Sequence, residues 1–266
     1  MSRADPAPQD ESIESRDFVT GLARGLDVLR VCAASPEGLT LSDVARVVDL
    51  PRAAVRRSLL TLVATGYVTR SGRLFQPTPR VLGLSARVAD MTLPRLAQPV
   101  LDELSRTLDE SASLATLDGP DILYIGRSET RRILSVDLSV GSRLPAWCTS
   151  MGRILLAALP PGERQSHIPT ILPARTPKTI TDHARLSATL DDIATAGYCI
   201  LEQELETGLR SVAAPVRDGE GRVVAALNVG TQAARTSLRD VRRVIVPAVV
   251  RAAATLTEAV RLQRRS

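Results

Sequence analysis

The stretch Thr40–Gln76, TLSDVARVVDLPRAAVRRSLLTLVATGYVTRSGRLFQ, leaves this part of the chain one arrangement: helix, tight turn, helix, hairpin. Thr40 can cap the first helix with Asp43 at N3, a capping box with Asp in place of Glu. Leu41, Val44, Ala45 and Val48 recur at i, i+3, i+4 and i+7, so one face is buried. Asp49-Leu50 makes the turn, and Pro51 suits the first turn of the second helix, where its missing N–H costs nothing. There Val55, Leu59, Leu62 and Val63 form the buried stripe, while Arg52, Ala53, Arg56 and Arg57 fall elsewhere. Gly66 stops the helix as a C′ residue. Tyr67–Arg70, a turn at Ser71-Gly72 and Arg73–Gln76 then read as a hairpin. This is a winged helix-turn-helix, which lays one helix in the DNA major groove.

A generic three-helix domain with a solvated arginine face is the competing reading, and charge placement argues against it. Residues 16–80 hold ten Arg against five Asp or Glu. The first fifteen residues carry one Arg and four acids, and the remaining 186 are only +3. The basic excess therefore coincides with the motif, as an electrostatic footprint on phosphate requires. Only Lys178 among the 34 basic residues is lysine, so arginine at any one position is weak evidence of bidentate base recognition.

Composition excludes several other classes. Aromatics are 2% of 266 residues, which disfavours the base-stacking platforms of single-strand and RNA binders. Cys32, Cys148 and Cys199 are widely spaced and give no disulfide framework, as expected in a reducing cytoplasm. With His167 and His183 the only histidines, no metal site is expected, and no apolar run reaches membrane-spanning length. Residues 1–17 are polar and acidic and read as a disordered tail.

Before the motif, Phe18–Ala33 reads as a helix burying Leu22, Leu26, Leu29 and Ala33. After it, Arg80–Met91 returns to helix, Leu93-Pro94 interrupts, and Leu96–Leu108 is helical through Val100, Leu101, Leu104 and Leu108. The remainder mixes strands with helices. Ala112–Leu117, Ile122–Arg127, Arg132–Leu138, Tyr198–Glu202, Ser211–Arg217 and Val223–Val229 read as strands, and Gly141–Pro145 as a loop. Helices are expected at Met151–Leu159, after a cap at Thr181 or Asp182, and after a cap at Ser237, the last kinked by Pro247. An antiparallel sheet flanked by helices is an α+β ligand-sensing architecture.

These segments carry a resemblance along almost the whole chain. FVTGLARGLDVLR, LTLSDVARVVDLPRAAVRRSLLTLVATGYV, LPAWCTSMGRILLA, TPKTITD and GYCILEQELETGLRSVAAPVRD followed by GRVVAALNV together resemble the IclR family of bacterial regulators. The match looks strongest to its PcaR/PcaU/PobR branch, which governs aromatic-acid catabolism through the β-ketoadipate pathway. The resemblance implies a winged helix-turn-helix over residues 18–78, then a linker helix and a GAF-like effector-binding domain over 79–266. It implies dimers that commonly pair into tetramers, palindromic double-stranded operators, and effectors such as protocatechuate or 4-hydroxybenzoate. No cofactor is implied.

The candidate DNA-contacting residues are Thr40, Ser42, Arg52, Ala53, Arg56, Arg57, Arg70 and Arg73. By position in the family, Ile133, Val136 and Leu144 are effector-pocket walls, Ser150 and Met151 meet the carboxylate, and Leu201, Leu209 and Ser211 close the pocket. Leu201 stands where some oxo-acid-sensing members carry an acid; Glu202 either replaces it or points away. Independently, Cys148-Thr149-Ser150-Met151 runs into a helix start, which attracts anions, with Thr149 and Ser150 as hydroxyl donors and Trp147 as a flat apolar face. The bland alternative is that Thr149 or Ser150 simply caps the helix. Arg127 and Arg210 are candidate counter-ions. Three other functions compete: a regulator for a different small carboxylate, an enzyme using Cys148 as a nucleophile activated at a helix start, and an architectural DNA binder with no effector, against which the semi-apolar second domain argues. The enzyme would have only His167 and His183 as bases, both in polar loop-like surroundings, and it lacks a G-x-S-x-G elbow and any nucleotide fingerprint, so a non-enzymatic regulator is expected.

Overall fold

The computed structural model describes residues 18–84, 92–129 and 138–263. The expected tail, most of the strand at 132–138 and part of the helix at 80–91 lie outside the described residues. Two compact units divide the chain, Met1–Ala89 and Asp90–Ser266.

In the first unit, α1 (Thr20–Ala33), β1 (Leu39–Thr40), α2 (Leu41–Val48), α3 (Arg52–Ala64), β2 (Val68–Ser71) and β3 (Leu74–Pro77) surround one core. The capping box at α2 is formed: the Asp43 N–H donates to Thr40 Oγ1 at 3.3 Å, and the Thr40 N–H to Asp43 Oδ2 at 3.2 Å. Asp49 takes a left-handed conformation in the turn between the helices. Pro51 is the N-cap of α3 instead of its first helical residue. Gly66, at φ +79°, closes α3, with its N–H on Val63 O and that of Tyr67 on Leu62 O.

Three expectations need correction here. The buried face of α1 is Val28, Leu29 and Cys32; Leu22 and Leu26 are 62% and 56% exposed, and Ala33 is also exposed. The wing turns one residue later, because Ser71 pairs with Leu74 and leaves Gly72-Arg73 as the loop. Gly72, at φ +59°, suits the first position of a two-residue turn. The wing also has a third strand: β1 pairs with β3 in the order β1-β3-β2.

The second unit is a six-stranded antiparallel sheet with helices on both faces. Its strands are β4 (Ala112–Asp118), β5 (Asp121–Ser128), β6 (Arg143–Pro145), β7 (Cys199–Glu202), β8 (Leu209–Arg217) and β9 (Val223–Gln232), in the order β6-β5-β4-β9-β8-β7. The segment expected as a loop at 141–145 thus supplies an edge strand, with Leu144 opposite Ile122. On the front face lie α5 (Ser150–Ala157) and α6 (His183–Ala196). On the back lie α4 (Thr92–Leu108) and α7 (Val246–Gln263). Strand alternation sorts the two cores: in β9, Ala226 faces front while Leu227 and Val229 face back.

Helix boundaries follow the local chemistry. Asp182 caps α6, whose Leu186, Leu190 and Ile193 are all buried, and left-handed Gly197 ends it. Pro94 does not interrupt α4: it sits in the first turn, where its absent N–H had no intrahelical acceptor. Ala97 belongs to the buried face of α4 with Leu101 and Leu104. Ser237 caps the final helical segment, and a π-helical turn at Val241–Ile245 precedes Pro247. No described helix is long and apolar enough to cross a membrane.

Candidate functional site

Six of the eight expected DNA-contacting residues line one groove. Thr40, Ser42, Arg52, Arg56, Arg70 and Arg73 surround an apolar floor of Leu41, Leu60 and Phe75. Arg52 and Arg56 are one turn apart on the exposed side of α3, opposite buried Val55 and Leu59. Ala53 and Arg57 are exposed on α3 but do not line the groove. Two members are already engaged. Arg70 lies over the Phe75 ring at 5.8 Å and donates to Gly72 O at 3.0 Å, so it braces the wing. The Thr40 hydroxyl donates to Asp43 Oδ2 at 2.6 Å. Hydrogen bonding from Thr40 holds the Asp43 carboxyl below its ordinary range.

The second site is a cavity of about 400 Å³ on the front of the sheet. One end of it is built by one tight backbone feature. A 3₁₀ turn at Ala146–Cys148 folds back against the first turn of α5. A Cβ on Gly152 would lie 2.1 Å from Ala146 O, so only glycine permits this approach. Thr149 is the N-cap: its Oγ1 accepts from the Gly152 N–H at 3.2 Å and donates to Pro145 O at 3.0 Å. Capping therefore takes Thr149 away from the role of ligand donor. Ser150 behaves differently. It is 1% exposed, lines the cavity, and its Oγ has no hydrogen-bond partner. The N–H groups of Ser150 and Met151 begin α5 and have no intrahelical acceptor. A buried hydroxyl and two helix-start amides, unmatched by protein, are donors of the kind an anionic oxygen accepts from.

Of the other expected pocket residues, Leu144, Met151, Leu201, Leu209 and Ser211 line the cavity. Ile133 and Val136 lie outside the described residues. Trp147 and Cys148 do not line it; the 3₁₀ turn directs both into the core. Burial pushes the Cys148 thiol up to about 11, against the charges of Arg175 and Arg153, which is the reverse of what an activated nucleophile requires. Glu202 cannot replace Leu201, because adjacent strand residues face opposite sides of the sheet. Leu201 pairs with Ser211 at the front, and Glu202 pairs with Arg210 at the back. There the Arg210 guanidinium binds the Glu202 carboxylate and Thr236 O, with Lys178 and Gln203 also on the carboxylate. Arg210 above all holds the Glu202 carboxyl down at about 2.

Sequence reasoning named Arg127 as a candidate counter-ion but missed Ser113, Asn228 and other lining residues that the sheet register brings beside it. Arg127, Ser113 and Asn228 form a polar row across the floor, since Ser113 pairs with both Arg127 and Asn228. Arg127 donates to Ser113 Oγ at 3.2 Å and pairs with Glu129 at 2.7 Å. Tyr124 lies beside the row, its phenol pushed up to about 12 by burial. Glu110, Arg175 and Arg235 also line the cavity. Burial raises the Glu110 carboxyl, against the hydrogen bond from Thr231 and the charge of Arg235. Among the described residues, no group of three or more His, Cys, Asp or Glu is placed to hold a metal.

Comparison with known proteins places this geometry. Residues 21–72 match the IclR helix-turn-helix domain, and residues 85–258 match the bacterial transcriptional regulator IclR C-terminal domain. The chain is 45% identical over 243 residues to the Pca regulon regulatory protein of Pseudomonas putida, covering 90% of this chain and 84% of that one. It is 34% identical over 235 residues to the p-hydroxybenzoate hydroxylase transcriptional activator of Acinetobacter baylyi, covering 85% and 86%. The structure of an IclR homolog complexed with 4-hydroxybenzoate, from Microbacterium hydrocarbonoxydans, superposes with a TM-score of 0.78 at 26% identity, covering 91% of this chain and 100% of that one. The chain belongs to the IclR family of bacterial transcriptional regulators, in the branch that holds the Pca and PobR proteins.

Proposed function

We propose that this regulator senses a small aromatic acid of the protocatechuate and 4-hydroxybenzoate class, and controls genes for its catabolism. The observation that carries this reading is Ser150 Oγ, buried and unpartnered at the start of α5. An unsatisfied buried hydroxyl costs about 1–3 kcal/mol, which a ligand carboxylate accepting from it recovers. The rest of the cavity suits an aromatic ring: Leu144, Met151, Leu201 and Leu209 supply apolar walls, and Ser113 and Asn228 supply a polar floor for ring hydroxyls. The names of its Pca and p-hydroxybenzoate relatives support the same chemistry.

On the DNA side, Arg52 and Arg56 read base edges in the major groove, with Ala53 and Arg57 beside them. Arg73, at the tip of the wing, holds phosphate. A homodimer reads two half-sites of a palindrome, and effector binding shifts the balance between two arrangements of those readers. Such a regulator acts in the cytoplasm, where its operator lies.

The test is calorimetric titration of the full chain with protocatechuate, 4-hydroxybenzoate and unsubstituted benzoate, followed by operator binding with and without the acid that binds. Saturable binding of a hydroxylated acid that changes operator affinity supports the reading. A flat titration with all three, matched by a flat thermal-shift screen, refutes it.

A further inference from the structure

The carboxylate end of the cavity lacks an assigned cation, and most nearby arginines are already taken. Arg127 pairs with Glu129 and donates to Ser113. Arg210 faces the back of the sheet, on Glu202 and Thr236. Arg235 pairs with Glu110 at 3.6 Å. Arg175 is different. It lines the same cavity as Thr149, Ser150 and Met151, and no carboxylate among the described residues pairs with its guanidinium. Its charge reaches the start of α5: burial raises the Cys148 thiol, and Arg175 is the largest influence opposing that rise.

The segment that carries Arg175 is fixed to α5 by a bracket of buried hydrogen bonds. The N–H groups of Arg175 and Thr176 both donate to Thr179 Oγ1, at 3.1 and 2.8 Å. Thr179 Oγ1 donates to Glu204 O, and Thr176 Oγ1 to Gln203 O, each at 2.7 Å. The Glu204 carboxylate accepts from the Ile180 N–H at 3.0 Å and grips Arg153 of α5 through two contacts of 2.7 and 2.6 Å. The Arg175 backbone is thus held in fixed relation to the helix start, while its side chain is exposed.

We propose that Arg175 is the counter-ion of the effector carboxylate, closing onto it from the side opposite Ser150 Oγ and the α5 amides. Thr179 and Glu204 are positioning residues that set where Arg175 reaches. The proposal rests on the aromatic-acid reading above and adds the residue that makes the site selective for the charged form. A guanidinium on a carboxylate forms charge-assisted hydrogen bonds about twice as strong as neutral ones.

The test compares the full-length native protein with Arg175→Gln and Arg175→Lys. Each is titrated calorimetrically with 4-hydroxybenzoate and with its neutral isostere 4-hydroxybenzamide, with melting temperature and operator affinity as controls. The expected result is a tenfold to hundredfold loss of acid affinity in Arg175→Gln, roughly the span of one hydrogen bond to a charged group. Amide affinity stays unchanged, and Arg175→Lys recovers part of the loss. Native-like acid affinity in Arg175→Gln overturns the counter-ion role and leaves the aromatic-acid reading standing. Equal losses for acid and amide also overturn it, since they mark a structural role. Failure of the native protein to bind the acid removes both readings.

Discussion

Replacing Arg153 by alanine tests whether the bracket over α5 is an electrostatic unit. Arg153 is 2% exposed and the Glu204 side chain 11%. The guanidinium makes both contacts to the Glu204 carboxylate and donates through Nε to Trp147 O at 3.0 Å. Its removal leaves a buried carboxylate with Ile180 N–H as its remaining described donor, and a buried carbonyl with none. Breaking a buried ion pair from one side costs about 3–5 kcal/mol, and the orphaned carbonyl adds about 1 kcal/mol. For a domain of this size that is a fall in Tm of roughly 10–20 °C. The double variant Arg153→Met/Glu204→Leu regains most of the loss, because a buried pair nets little over apolar groups of similar volume. Differential scanning calorimetry and urea unfolding of all three chains supply the comparison. A single variant within about 1 kcal/mol of native, or a double variant no better than the single, refutes the reasoning.

Three further outcomes are expected. Arg56→Ala weakens operator binding by about 1–3 kcal/mol in a fluorescence-anisotropy titration if it reads a base, and unchanged affinity removes it from the interface. Gly152→Ala, which sets a methyl against Ala146 O, destabilises the second unit by about 1–3 kcal/mol and weakens acid binding; a crystal structure of the variant with an undisturbed 3₁₀ turn would contradict this. Glu202 has a folded pKa of about 2 against an ordinary 4.5, so its stabilisation is present above 4.5 and lost as pH falls towards 2. The stability gap between the native chain and Glu202→Gln should therefore close over that acid range in urea melts, and a gap independent of pH argues against the pairing.

The reader unit was largely legible because its signals are local. A capping box, a glycine stop and two amphipathic stripes each act within one or two helical turns. The errors have physical causes. Leu22, Leu26 and Leu29 are spaced like a buried stripe, yet periodicity does not say which turns of a helix are covered. Strands as short as Leu39–Thr40 and Arg143–Pro145 form only because a neighbouring strand supplies their partners. At the second site, motif positions locate the start of α5 but not the direction of each side chain, so Trp147 and Cys148, expected in the cavity, belong to the core. Glu202 was an open choice that strand alternation resolves. Arg127, Asn228 and Arg175 come from distant segments, and sheet register alone joins the first two across Ser113.

The central pairing of β4 with β9 has a consequence for how the molecule comes into being. Ala112 to Ala115 lie against Val229 to Ala226, so the middle of the sheet joins segments made far apart in time. The back-face core draws on residues as late as Leu256. The reader core, by contrast, is complete by Val81. During synthesis the reader can therefore close early, while the sensor waits for nearly the whole chain to emerge. A chain cut short by a premature stop would carry a DNA reader with no working sensor, able to occupy sites but deaf to the metabolite. Late nonsense mutations in this protein are thus expected to produce unresponsive regulation, whereas early ones abolish it.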